Sequence, residues 1–146
     1  VSNLGVYVDS LQNSERTQCL YAALNQAIND GLVDDVSLFY NNVGRNDDVA
    51  KFGLFNSTDL WAFTGNLLVT DLSNIGFVKK VVNNFDSYYF MDDVNDNVID
   101  LIFAANDVKV LAKTQQQADY FHRTTGRTVE AVVGDCDIKQ ILEAVK

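Results

Sequence analysis

Proline is absent from this chain, and its 146 residues hold one histidine, one tryptophan and two cysteines. Without proline, collagen-like repeats are excluded. Two cysteines, Cys19 and Cys136, are too few for a disulfide scaffold. The lone histidine, His122, cannot form a multi-histidine metal site, and any Ser–His–Asp or Cys–His arrangement would have to use it. It falls in a helical pattern with no nucleophile placed beside it, so no catalytic role is expected. Basic residues are scarce as well: 11 against 20 acidic ones, for a net charge of −9. A surface of that sign repels phosphate backbones and anionic headgroups, so neither nucleic acid nor a membrane is an expected partner. No apolar run approaches the roughly 18 residues that a membrane span requires.

Glycine-rich phosphate loops are missing too. The turn after the first strand reads DSLQNSER, with neither G-x-G-x-x-G nor G-x-x-x-x-G-K. A standard dinucleotide dehydrogenase or P-loop nucleotidase is therefore not expected, and neither is a cofactor. The composition that remains, 47% hydrophobic and 21% charged, is that of an ordinary globular protein. The length suits one domain, 1–146, able to bury roughly 70% of the surface of its unfolded chain. Seventeen of the acids are Asp, and Asn occurs 15 times. That surplus suits a chain with many strand-to-helix turns and helix N-caps.

The hydrophobic pattern alternates between strand and helix. Leu4 to Asp9 reads as a strand. Glu15 to Asp30 follows as a helix whose stripe is Cys19, Leu20, Ala23, Leu24, Ala27 and Ile28. Val36–Tyr40, Phe52–Phe55, Leu67–Leu72, Ser87–Met91, Val108–Ala112 and Thr128–Val133 read as further strands. Between them lie a capped helical turn at 56–61 and helical stripes at 75–85, 98–105 and 114–124, with a final helix from Ile138. Short apolar strands that alternate with amphipathic helices predict a parallel sheet covered on both faces. The expected fold is α/β, a three-layer α/β/α Rossmann-like sandwich with a mainly parallel sheet. Cys19 and Cys136 are expected to be free thiols in a reducing compartment. With the amino terminus running straight into a strand, this predicts a cytoplasmic location.

Ligands of an open α/β sheet bind beyond the carboxyl ends of the strands. That rule selects Asp9, Asn41, Asn42, Asp71, Asp92, Lys113 and Thr114. Asp9 and Asp71 are the candidate catalytic bases, because a carboxylate beside a hydroxyl can take its proton. Asn41, Asn42, Asp92, Lys113 and Thr114 are candidate binding residues, and Lys113 is the one cation available to a phosphate or carboxylate. The acids Asp92, Asp93 and Asp96 have the oxygen chemistry for Mg²⁺, but they read better as N-cap and first-turn acids of the helix that follows. No metal site is expected. Asp71 and Lys113 also allow a phosphotransfer receiver, although the first strand ends in a single Asp and no proline follows Lys113.

The segment VKVLAKTQQQADYFHRTTGRTVEAVVGDCDIKQIL resembles the end of the amino-terminal domain of GT-B glycosyltransferases. It has a strand, a polar cap at Thr114, a helix, a short strand, and GDCD in place of that family's N-G-V-D turn. LWAFTGNLLVTDLSN followed by SYYFMDD is similar to small glycosyltransferase-like proteins of tailed phages, in which a W-x-F-x-G-x-L strand precedes an aromatic strand ending in an acid. The resemblance implies a sugar, nucleotide or similar small ligand at the strand ends, and a host-cytoplasmic location if the chain is phage-encoded. It also implies glycosyl transfer as the reaction class, if there is a reaction. The E-x-(7)-E donor signature is absent, and the chain stops where the family's donor domain would begin, so turnover by this chain alone is not expected. The alternative is a non-catalytic interaction or structural protein that keeps the fold only. Self-association into a homo-oligomer is compatible with either.

Overall fold

A computed structural model describes residues 3–12, 15–45, 50–70, 74–80, 85–90, 102, 108–134 and 137–144. Seven strands form one sheet, and every pairing in it is parallel. In chain order they are β1 (Asn3–Ser10), β2 (Asp35–Asn42), β3 (Gly53–Asn56), β4 (Gly65–Val69), β5 (Phe85–Phe90), β6 (Lys109–Ala112) and β7 (Ala131–Val132). Among the described residues the helices are α1 (Glu15–Asn29), α2 (Ile75–Lys80), α3 (Gln115–Thr125) and α4 (Ile138–Ala144), with a 3-10 helix at Ser57–Ala62. Across the sheet the order is β3-β2-β1-β4-β5-β6-β7. The chain therefore winds one way from β1 to β3, then returns and winds the other way from β4 to β7. This is the doubly wound α/β arrangement expected from the sequence.

Side-chain alternation divides the core in two. On one face Leu4, Val6, Leu38, Leu68 and Phe90 pack with Leu20 and Leu24 of α1 and with Ile138 and Ile141 of α4. On the other, Tyr7, Phe39, Leu67, Val69, Tyr89 and Val110 pack with Leu60 and Phe63, Ile75 and Val78 of α2, and Phe121 of α3. Helices thus cover both faces, and no helix among the described residues is long and apolar enough to cross a membrane. Gly5 in the central strand has a packing reason: a Cβ there would lie 2.7 Å from the Phe63 ring. Local signals set the helix ends. The Thr114 side chain accepts from Gln117 N to open α3, and Gly126 closes it in the left-handed region at φ 76°.

One expectation is corrected here. Cys19 is not a free thiol: it is disulfide-bonded. The sequence holds one other cysteine, Cys136, which lies outside the described residues and two positions before α4. The physical reason is topological. Helices α1 and α4, at opposite ends of the sequence, contact each other on the same face of the sheet, and Cys19 packs against their shared core. The argument for a reducing compartment rested on free thiols, and the disulfide removes that support.

The stripe at 98–105 lies outside the described residues except for Ile102, which is helical. The last predicted strand, 128–133, shrinks to Ala131–Val132, because as an edge strand it pairs with only Leu111 and Ala112.

Candidate functional site

The winding direction reverses between β1 and β4, and the crevice beyond the carboxyl ends of those two strands is where such folds bind ligands. Three neighbouring pieces of chain bring polar side chains there. Tyr7 and Asp9 of β1 and Asn41 of β2 project on the same face as Phe39, because alternate residues of a strand share a face and Tyr7 pairs with Phe39. Asn74 immediately precedes α2, on the chain leaving β4. Thr70 ties β4 to β1 at this level: its backbone N–H and its hydroxyl both donate to the Tyr7 carbonyl, each at 3.1 Å.

The four side chains form one directed network. The Tyr7 hydroxyl donates to Asn41 Oδ1 at 2.7 Å. Asn41 Nδ2 donates to Asp9 Oδ1 at 3.1 Å and to Asn74 Oδ1 at 3.0 Å. Both N–H bonds of Asn41 are thereby used, and its amide orientation is fixed, since a carbonyl cannot donate to either acceptor. That orientation fixes the next one. Asn74 presents its oxygen to Asn41, so its Nδ2 must point elsewhere. This nitrogen is buried and has no hydrogen-bond partner among the described residues, in a residue only 7% exposed. A buried donor left unpaired costs about 1–3 kcal/mol. Asp9 Oδ2, the carboxylate oxygen not bonded to Asn41, has no partner among the described residues. The network therefore holds one buried donor, Asn74 Nδ2, and one acceptor, Asp9 Oδ2, each without a partner among the described residues.

The remaining candidates are placed differently. Asn42 is exposed at the end of β2 and reaches the Asp9 carbonyl at 3.5 Å. Lys113 directly follows β6, three strands from β1 and so about 14 Å along the sheet edge. Its ammonium sits 5.5 Å from the Phe90 ring centroid, and its backbone N–H donates to Gln117 Oε1. Thr114 acts as the α3 cap. Asp71 and Asp92 lie outside the described residues, as do Asp93 and Asp96. Among the described residues no three His, Cys, Asp or Glu side chains converge to hold a metal.

Sequence reasoning missed Tyr7 and Asn74. A tyrosine in mid-strand reads as core, which its ring is. An asparagine before a helical stripe reads as a cap, whereas this one spends its oxygen on Asn41 instead. The detectable signal was position: Asn74 follows the strand at which the winding reverses.

No protein-family model matches the chain, and no curated protein or solved structure is similar enough to it to count as a relative.

Proposed function

We propose that this chain binds a sugar, a nucleotide or a similar small polar ligand at the carboxyl edge of its sheet, as a glycosyltransferase-like domain. The observation that carries the reading is the buried Asn74 amide nitrogen, unpartnered among the described residues, in a side chain that shares the Asn41 amide with Asp9. A ligand oxygen that accepts from Asn74, next to a hydroxyl that donates to Asp9, satisfies both groups at once. Neighbouring hydroxyls of a sugar ring or a ribose supply that pair, since each hydroxyl both donates and accepts. In a transfer reaction Asp9 is the carboxylate positioned to take a proton from an acceptor hydroxyl. Lys113, farther along the same edge, suits the phosphate of a longer ligand such as a nucleotide sugar.

Calorimetric titration of the chain with a panel of nucleotide sugars and free monosaccharides tests this. Asp9→Asn and Asn74→Leu should each weaken binding about tenfold or more. Lys113→Ala should weaken only the phosphate-bearing ligands. If no member of the panel binds at millimolar concentration, or if binding ignores both Asp9 and Asn74, the reading fails.

A further inference from the structure

A second cavity, of about 370 Å³, lies under the 3-10 helix at the β2–β3 flank of the sheet. Its lining is Ser37, Phe39, Phe55, Asp59, Ala62 and Phe63. None of Tyr7, Asp9, Asn41 and Asn74 lines it. Its lining residue nearest to them on β2 is Phe39, two residues before Asn41, about 7 Å at strand spacing.

The chemistry of this cavity is unlike that of the crevice. Phe39 and Phe63 are buried and meet edge to face, with centroids 5.4 Å apart. Phe55 tilts against Phe39 at 5.9 Å and is 41% exposed, so the aromatic wall reaches solvent. Asp59 is exposed, and among the described residues its carboxylate has neither an ion-pair nor a hydrogen-bond partner. The half-buried Ser37 hydroxyl is likewise without a hydrogen bond there. An acid in the first turn of a helix is favourable in itself. That position does not account for the three-phenylalanine cavity beside it.

We propose that this cavity binds a small organic cation, an amine carrying a compact apolar body. Phenylalanine faces carry negative potential and attract an ammonium group. Asp59 and Ser37 are acceptors for its N–H bonds, and the rings cover its carbon frame. The volume is in the range of small-molecule sites. The net charge of −9 draws cations toward the surface as a whole. A polyhydroxyl ligand fits poorly, because among the described residues only one carboxylate and one hydroxyl line the cavity. A neutral hydrocarbon leaves Asp59 unused. The proposal is independent of the function assigned to the crevice.

The test uses phenethylamine, a primary amine on an aromatic body, against 2-phenylethanol, its neutral counterpart. Amide chemical shifts locate the probe, and Trp61, the sole tryptophan and two residues from Asp59, reports occupancy by fluorescence. The amine should move the signals of Ser37, Phe55 and Asp59. It should bind about tenfold tighter than the alcohol. Asp59→Asn, an exposed substitution, should weaken the amine about threefold and leave the alcohol unchanged. Equal binding of amine and alcohol overturns the proposal. So does an Asp59→Asn chain that binds the amine like the wild type, or shifts centred on Asp9 and Asn74.

Discussion

Replacing Asn74 by Leu, a residue of similar size, separates a ligand site from a structural network by the sign of its effect on stability. The substitution leaves one N–H of the half-buried Asn41 without its acceptor, a cost of about 1 kcal/mol, the low end for an orphaned donor. Asn41 keeps its bonds to Tyr7 and Asp9. The same substitution removes the buried nitrogen that has no partner, relieving about 1–3 kcal/mol. The net expectation is a stabilisation of about 1 kcal/mol. For a domain of this size that raises the melting temperature by roughly 2–4 °C. Asn41→Leu is the contrast. It deprives the Tyr7 hydroxyl, Asp9 and the Asn74 oxygen of their partner together, and should cost about 2–4 kcal/mol. Urea denaturation of the wild type and both variants, at constant pH and without ligand, measures the two effects with the m-value as a check on two-state behaviour. If Asn74→Leu destabilises the chain as much as Asn41→Leu does, Asn74 is satisfied in the free protein and the case for a ligand at this position collapses.

Three further outcomes are expected. Gly5→Ala should destabilise the chain by about 1–3 kcal/mol, because its Cβ would overlap the Phe63 ring and meet Leu67 at 3.0 Å; thermal melting checks it, and a neutral result would mean the 3-10 helix and its flank shift freely. Reducing the Cys19 disulfide should cost about 2–5 kcal/mol, and thiol titration in denaturant without reductant should find no free thiol. Thr114→Ala should lower stability by about 1 kcal/mol through loss of the α3 cap, while ligand affinity measured by calorimetry stays constant.

The alternation of apolar strands and amphipathic helices made the doubly wound sheet legible, and the rule for such sheets pointed to Asp9 and Asn41. Local chemistry blurred the edges. Asn41 and Asn42 after an aromatic strand read as a turn, yet the ladder continues to the pairing of Ser10 with Asn42. Lys113 satisfied the same strand-end rule as Asp9, and only the strand order shows that three strand spacings divide them. The disulfide was illegible for a related reason. Sequence separation says nothing of which helices share a face, and α1 and α4 do. Asn74 needed more still: its significance lies in the direction of an amide that is fixed by Asp9, through Asn41 on β2, two strands from β4.

The place of β1 inside the sheet, between β2 and β4, governs how the chain reaches its native state. Its neighbours are β2, which follows closely, and β4, where Leu4 faces Asn66 across a long stretch of sequence. Closing so large a loop before any reward arrives is slow, as non-local parallel pairings are in general. A nascent chain that ends before Gly65 has β1 with one side unpaired and its apolar residues uncovered, a template for association with other chains. The docking of β4 relieves that hazard, and the same event delivers Asn74 to Asn41. Covering the second side of β1 and forming the Asn41–Asn74 contact therefore go together, and a chain stalled before β4 docks has neither.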